Sequence, residues 1–187
     1  MSLPFASLHS AEASLVLECR EGAPPLWRHL GARVAVEGLA PLADGRTAAS
    51  FSLDSDVPLA TVPPAGLGWF GPAFVAARRD GRPLVPVFSD VSVEQGADRI
   101  VIRLADPLSG LALVQRITCD AGGALLFDAE LTNTAAGTIS LDWLASALLP
   151  LSAESSQLVS WRGRHNAELV ECVEPMPQQA WLRESRR

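Results

Sequence analysis

Between Asp98 and Trp143 the sequence alternates apolar and polar residues in short runs, and a turn sequence separates each run from the next. Successive side chains of a β-strand point to opposite faces of a sheet, so this alternation predicts strands with one buried face. The turns fall at residues 106–110, 120–123 and 132–137, where Asp, Asn, Gly and Pro are concentrated. We therefore predict four antiparallel strands joined by successive hairpins, as in a β-sandwich or barrel.

The alternation also predicts which side chains of this meander point into the core. The predicted inward-facing residues are Ile100, Ile102 and Leu104 on the first strand, Leu125, Phe127, Ala129 and Leu131 on the third, and Ile139, Leu141 and Trp143 on the fourth.

Three shorter alternating runs precede the meander, at residues 13–19, 33–37 and 49–53. In the first run the odd-numbered residues share one predicted buried face, and Ser14 lies on the opposite face. These runs add strands to the sheet prediction and call for no helix.

Residues 144–151 are apolar on every side and contain Pro150, so they predict a further buried strand. With 48% hydrophobic residues, the 187-residue chain can bury the core of one large domain or of two small ones. The predicted fold class is all-β, with antiparallel sheets and few or no helices.

Composition excludes several classes of partner and chemistry. The net charge of −6 and the pI near 5.0 disfavour binding to nucleic acid and to anionic membrane surfaces. The chain contains neither Lys nor Tyr, which excludes a lysine Schiff base and a tyrosine nucleophile. No run approaches the ~18 apolar residues of a membrane span, and the first residues lack the features of a signal peptide. The odd set of Cys19, Cys119 and Cys172 predicts free thiols in a reducing cytoplasm.

No constellation of residues predicts a metal centre or a nucleophilic triad. His9, His29 and His165 are scattered, and none has a second ligand at metal-binding spacing, so we predict neither a metal nor a cofactor. No Gly-x-Ser-x-Gly turn and no glycine-rich phosphate loop lies between a strand and a helix.

The carboxylates do not predict a glycosidase pair, which needs two acids facing each other across the scissile bond. Acids are seldom buried unpaired, so those in turns or on polar strand faces are predicted to be solvated. Glu168, Glu171 and Glu174 divide between the two faces of a predicted strand. The acids predicted to be solvated are Glu18, Asp80, Asp106, Asp120, Asp128 and Glu130.

The aromatic pair Trp69 and Phe70 lies on a glycine-flanked loop. Two interpretations are open: the rings stack on the apolar face of a sugar, or they pin the loop to the sandwich. The other tryptophans, Trp27, Trp143, Trp161 and Trp181, are predicted to lie in the core or at interfaces.

Charge is concentrated in the last part of the chain, where strand spacing scatters the charged groups and argues against a catalytic cluster. These residues are Arg162, Arg164, Glu168, Arg183, Glu184, Arg186 and Arg187.

Several short motifs occur in a characteristic order: residues 26–31 (Leu-Trp-Arg-His-Leu-Gly), residues 66–74 (Gly-Leu-Gly-Trp-Phe-Gly-Pro-Ala-Phe), the Leu-Thr-Asn at 131–133, the Gly-Arg at 163–164 and the closing Glu-Ser-Arg-Arg at 184–187. In this order they resemble the N-terminal domain of bacterial α-galactosidases of glycoside hydrolase family 36. The similarity spans nearly the whole chain. Better-known members carry Asp-Phe-Arg where residues 69–71 stand here.

The resemblance implies a galactose-mutarotase-like β-supersandwich that forms a single N-terminal domain over residues 1–187. In the family this domain is followed by a (β/α)8 barrel and a C-terminal β-domain, and the enzyme hydrolyses terminal α-D-galactosides with retention. The catalytic aspartates lie on the barrel, which we expect to be absent from this chain. The chain is therefore expected to contain no catalytic residue and no metal or cofactor site.

The resemblance also implies partners and contacts. We expect a cytoplasmic homo-oligomer in which this domain packs on its own barrel, with Trp69 and Phe70 lining the substrate site of a neighbouring subunit. The alternative is a stand-alone carbohydrate-binding or structural β-sandwich module. The expected interdomain or oligomer contacts are Arg162, Arg164, Glu168, Glu184, Arg186 and Arg187.

Overall fold

The computed structural model describes residues 5–35, 58–65, 67–178 and 180–183. Within these ranges the chain forms β-strands and no helix, and it divides into two compact units, residues 1–150 and 151–187. The strands are β1 (Phe5–His9), β2 (Ala13–Arg20), β3 (Ala23–Ala32), β4 (Val75–Arg79), β5 (Arg82–Leu84), β6 (Asp90–Gln95), β7 (Arg99–Asp106), β8 (Leu111–Cys119), β9 (Leu125–Asn133), β10 (Ile139–Leu144), β11 (Gln157–Arg164) and β12 (Ala167–Pro175).

The first unit contains three antiparallel sheets, ordered β1-β2-β3, β10-β4-β5 and β6-β7-β8-β9. All three contribute side chains to one buried cluster, so the unit is an all-β sandwich, as the alternation predicted. The fully buried members include Leu15 and Leu17 of β2, Ile100 and Ile102 of β7, and Leu113 and Ile117 of β8, and Phe74 precedes β4.

The predicted meander is confirmed for three of its four strands. Strands β7, β8 and β9 pair in sequence through the two predicted turns. The fourth strand, β10, does not pair with β9 but joins the sheet of β4 and β5, where Leu144 lies opposite Val75 of β4. The predicted third hairpin is therefore wrong. The crossing segment is held from both sides, because Asn133 Nδ2 donates to the Gly137 carbonyl and Thr134 N donates to the Gly110 carbonyl.

Two predicted core residues of β10 lie at the surface. Leu141 is 48% exposed and Trp143 is 52% exposed. The β-bulge between them places Trp143 opposite Ala76, on the outer side of the sheet. Leu141 lies opposite the buried Ala77, but β10 is the edge strand of its sheet, which leaves Leu141 partly uncovered.

The region before residue 36 differs from the prediction in two ways. Strand β3 was not predicted, because Pro24 and Pro25 suggested a break, yet both lie within its first residues. Residues 33–35 were predicted to begin a strand but lie beyond the end of β3. There Arg33 N donates to the Glu12 carbonyl and Val34 N to Ser14 Oγ. The rest of that predicted strand and the whole of 49–53 fall outside the described residues.

The predicted strand at residues 144–151 is also wrong. Strand β10 ends at Leu144, and the backbone continues without regular structure to Pro150. Ala145 N still donates to the Phe74 carbonyl. The carbonyl of the following residue, Ser146, accepts a hydrogen bond from the side chain of Gln115 and not from the backbone of a neighbouring strand. Side-chain hydrogen bonding thus replaces the ladder at this point.

The second unit is an antiparallel hairpin of β11 and β12. Its strands are joined at His165 and Asn166, and Asn166 has a φ of 62°. A register shift follows between Arg162 and Arg164. On the opposite strand Leu169 adopts a φ of 58°, and this residue is 80% exposed. Bulky residues are rare in this left-handed region.

No helix among the residues described here is long and apolar enough to cross a membrane.

Candidate functional site

The two aromatic residues of the predicted sugar-contacting loop point to different environments. Trp69 Nε1 donates to the Pro72 carbonyl at 3.0 Å, and the indole lies so close to Gly71 that a Cβ there would be 2.4 Å from a ring carbon. Gly71 is therefore required by the placement of Trp69. Phe70 is fully exposed. Trp69 thus shapes the loop, and Phe70 is the aromatic ring that the loop presents to solvent.

The charged residues predicted as contacts on the hairpin do not converge. Arg162 Nη2 lies 2.5 Å from Glu174 Oε1, and Glu168 Oε1 accepts from Asn166 N at 3.0 Å. Arg164 is exposed and forms no ion pair within the described ranges. These groups are partly neutralised within the hairpin, and their role as interdomain or oligomer contacts stays a prediction. Glu184, Arg186 and Arg187 lie outside the described residues.

The hairpin also exposes apolar side chains on one of its faces. Val159 lies opposite Val173, Trp161 follows on the same face, and each is between 46% and 49% exposed. We call Val159, Trp161 and Val173 the hairpin apolar face. Leu169 and Val170 add further exposed apolar surface near the tip. The sequence pattern predicted the strands but could not show that this face would remain uncovered.

A second half-exposed tryptophan lies on the sandwich, at the bulge of β10. Trp143 is the register partner of Ala76 in β4, and Asp142 accepts a hydrogen bond from Arg78 Nε at 2.8 Å. The hydrogen bond and charge of Asp142 raise the pKa of Arg78. We call Arg78, Asp142 and Trp143 the β10 surface. Sequence reasoning missed it because period-two alternation assigned Trp143 to the core.

Most of the acids predicted to be solvated do lie on polar strand faces or in exposed turns. Arg116 binds both Asp128 and Glu130, at 3.1 and 2.7 Å, and its hydrogen bonds to Glu130 and Asp128 raise its pKa. Glu18 pairs with Arg28 across β2 and β3. These carboxylates have structural partners, and they do not face each other across a cleft.

Asp106 is the exception, because it is buried and only 5% exposed. Its two carboxylate oxygens accept from Val87 N and Leu108 N, both at 3.0 Å. Burial alone would raise the pKa of Asp106, but hydrogen bonds involving Ser109, Val87 and Leu108 outweigh it and lower the pKa. The prediction of a solvated Asp106 is therefore wrong: a buried carboxylate satisfied by backbone donors ties the 106–110 turn to the segment before β6.

The histidines and cysteines occupy separate local environments. His9 Nδ1 lies 2.7 Å from Ser14 Oγ, and His29 Nε2 lies 2.7 Å from the Ala32 carbonyl. Burial raises the pKa of the Cys19 thiol. Among the residues that the structure describes, no three His, Cys, Asp or Glu side chains lie close enough together to hold a metal ion.

Comparison with known proteins gives the fold a family context. The model of the glycosyl hydrolase family 36 N-terminal domain matches residues 23–187. The chain belongs to this family. The match covers the sandwich from β3 onward and the hairpin, and it confirms the resemblance inferred from the short motifs.

Among solved structures, the chain is similar to the crystal structure of the α-galactosidase from Lactobacillus brevis. The two superpose with a TM-score of 0.70 at 16% sequence identity, over 92% of this chain and 27% of that chain. At this identity the likeness concerns the fold. The chain thus spans about a quarter of the length of that α-galactosidase. A search of curated proteins found no match.

Proposed function

We propose that this chain is the non-catalytic N-terminal domain of an α-galactosidase that hydrolyses terminal α-D-galactosides with retention. Its role is to pack on the catalytic barrel, to support a homo-oligomer and to help enclose the substrate site of a neighbouring subunit. Family membership over residues 23–187 supports the enzyme context. The exposed apolar face of the β11–β12 hairpin is the observation that carries the docking role.

The hairpin has the properties of a surface that is buried in a larger assembly. A two-stranded hairpin is only marginally stable by itself in water and needs a further layer on its apolar side. Val159, Trp161 and Val173 are each about half exposed, and they are contiguous on one face. Contiguous apolar surface of this kind marks contact sites more often than isolated exposed residues do. We infer that the catalytic barrel covers this face.

The charges on β11 and β12 argue against a second copy of the hairpin as its docking partner. Strand β11 carries Arg162 and Arg164 and no acid, whereas β12 carries three glutamates and no base. Pairing like edges of two copies would place like charges opposite each other, which is destabilising. Pairing β11 with β12 of the next copy is a heterologous contact, which generates a ring or an open array instead of a two-fold dimer. The complementary partner is therefore a surface with its own charge pattern, as a barrel domain offers.

Two other features support the remaining parts of the proposal. Phe70 is fully exposed beside the fixed indole of Trp69, so it is the ring that is available to a neighbouring substrate site. Leu108, 98% exposed, lies with Val85 and Val87 around an apolar groove of about 490 Å³, which offers a surface for a second copy. A cytoplasmic location is supported by the three unpaired cysteines.

The non-catalytic role is tested by assaying the 187-residue chain on an aryl α-galactoside. We expect no turnover, because the family's catalytic aspartates belong to the barrel. Release of the aryl alcohol that scales with the concentration of the purified chain would contradict the proposal.

The docking role is tested in the enzyme that carries the barrel, with Val173→Ser compared to Leu126→Ser. Both side chains are about half exposed, at 49% and 54%, but Leu126 lies on β9 of the sandwich. We expect Val173→Ser to speed limited proteolysis between the two domains several-fold and Leu126→Ser to leave it unchanged. Equal proteolysis rates for the two variants would show that Val173 does not lie in the interface between the hairpin and the barrel.

A further inference from the structure

The bulge in β10 brings a carboxylate and an indole to the same side of the sheet. In β4, Ala77 is 3% exposed and faces the core, so its neighbours Ala76 and Arg78 face outward. Trp143 is the register partner of Ala76, and the side chain of Asp142 binds Arg78. The consecutive residues Asp142 and Trp143 of β10 therefore both lie on the outer side of the sheet. In a regular strand they would point to opposite faces, so the bulge creates the pair.

The groups brought together are chemically open to a ligand. Trp143 is 52% exposed, and its small register partner, Ala76, leaves the surroundings of the indole uncrowded. The indole N–H has no hydrogen-bond partner among the described residues. The side chains of Arg78 and Asp142 are 56% and 48% exposed, and a single 2.8 Å bond joins them, which leaves a carboxylate oxygen and further guanidinium N–H groups available.

This combination matches the surface of a pyranose. One face of a galactose ring is a run of C–H groups that can lie on a flat indole, and its rim carries adjacent hydroxyls. A carboxylate accepts hydrogen bonds from such hydroxyls and a guanidinium donates to them, and charge-assisted bonds of this kind are stronger than neutral ones. A protein partner is a poorer fit, because the half-exposed Trp143 provides far less apolar area than the ~800 Å² that each side of a standard interface buries.

We propose that the β10 surface is a carbohydrate-binding site. Trp143 provides the stacking platform for one galactose unit of a galactoside, and Asp142 and Arg78 hydrogen-bond its ring hydroxyls. The choice of galactose rests on the proposed function, whereas the site itself lies within the sandwich, so the 187-residue chain alone is expected to bind the sugar.

Three other aromatic residues, Trp69, Phe70 and Trp161, lack this arrangement. Trp69 donates its N–H to the Pro72 carbonyl and lies on Gly71. Phe70 is fully exposed but forms no part of an ion-pair network. Trp161 is 47% exposed, yet its register partner is the long side chain of Glu171, and its face is shared with valines. Trp161 is therefore a matched control: it is equally exposed but lacks the adjacent guanidinium and the small partner.

The test titrates methyl α-D-galactoside and melibiose into the 187-residue chain, followed by saturation-transfer NMR and by tryptophan fluorescence. We expect saturable binding in the millimolar range. Trp143→Ala should weaken it at least tenfold, Asp142→Asn several-fold, and Trp143→Phe less than Trp143→Ala because a ring is kept. Trp161→Ala should leave the dissociation constant unchanged.

Folding of each variant is checked by its far-ultraviolet circular dichroism and its thermal midpoint. Absence of saturable binding by the unmodified chain would overturn the proposal, and so would equal loss of binding in Trp143→Ala and Trp161→Ala. Neither result bears on the α-galactosidase role, which the turnover and proteolysis measurements address separately. Conversely, the carbohydrate-binding site would stand if the chain bound galactoside through Trp143 but failed the docking test.

Discussion

The sandwich and the hairpin are built from the same alternating strand pattern, but the apolar face is buried in the sandwich and exposed in the hairpin. In the sandwich, Leu15, Ile100 and Leu113 are fully buried, because side chains from three sheets meet in one cluster. In the hairpin, Val159, Trp161 and Val173 are about half exposed. The same local pattern therefore gives a buried core in one unit and an exposed apolar face in the other. What separates them is the number of layers that cover the face.

Removing a core side chain from the sandwich should produce the largest effect and sharpen this contrast. Phe74 is 1% exposed, so Phe74→Ala loses its burial and leaves a cavity, and we expect a loss of about 3–5 kcal/mol in the free energy of unfolding. Urea denaturation of the 187-residue chain measures it. The matched change in the hairpin, Val173→Ala, should cost no more than about 0.5 kcal/mol, as for other exposed positions. Comparable losses for the two variants would mean that the hairpin face is not a free surface.

A smaller effect is expected at the buried carboxylate of the sandwich. Asp106→Ala leaves the Val87 and Leu108 amides without their acceptor, and we expect a loss of about 2 kcal/mol at pH 7. Asp120, in the exposed 120–123 turn, accepts from Ala124 N, and Asp120→Ala is the control with the smaller expected loss. Urea denaturation at pH 7 measures both losses in unfolding free energy. A loss for Asp120→Ala equal to or larger than that for Asp106→Ala would contradict the stabilising effect expected from burial of Asp106.

The same carboxylate should leave a signature in the pH dependence of stability. Its folded-state pKa is lowered, so its contribution is present above the unfolded-state pKa of about 3.9 and is lost as pH falls through the folded-state value. We expect the difference in unfolding free energy between wild type and Asp106→Asn to shrink as pH is lowered from about 4. A difference that stays constant down to pH 2 would show that the ionised form of Asp106 is not what stabilises the turn.

The smallest effect is expected at the ion pair of the hairpin. Arg162 and Glu174 have side chains that are 65% and 39% exposed, so their coupling is screened by solvent and salt. A double-mutant cycle with Arg162→Ala and Glu174→Ala should give a coupling free energy between about 0 and 1 kcal/mol that decreases in 1 M salt. A larger coupling that is insensitive to salt would indicate that this part of the hairpin is already covered in the isolated chain.

Sequence reasoning predicted the fold better than the site, and particular residues explain why. Alternation and turn residues are local, so β7, β8 and β9 could be predicted, with the inward faces of β7 and β9. The move of β10 to another sheet depends on long-range partners, such as Val75 opposite Leu144, which no local pattern encodes. A bulge is equally invisible to a period-two template, so Trp143 was assigned to the core. The burial of Asp106 arises from backbone donors that come from Val87 and Leu108, on either side of β6 and β7.

The crossing of β10 also has a consequence for how the chain reaches its native state during synthesis. Strands β4 and β5 can form their hairpin as soon as Leu84 leaves the ribosome, but the other edge of β4 has no partner until Leu144 has been made. Through that interval an unpaired strand edge is exposed, and edges of this kind invite pairing with other chains. Antiparallel contacts over such long separations are also slow to close. The stretch between translation of β4 and translation of β10 is therefore the period in which the nascent domain is most exposed to misassociation.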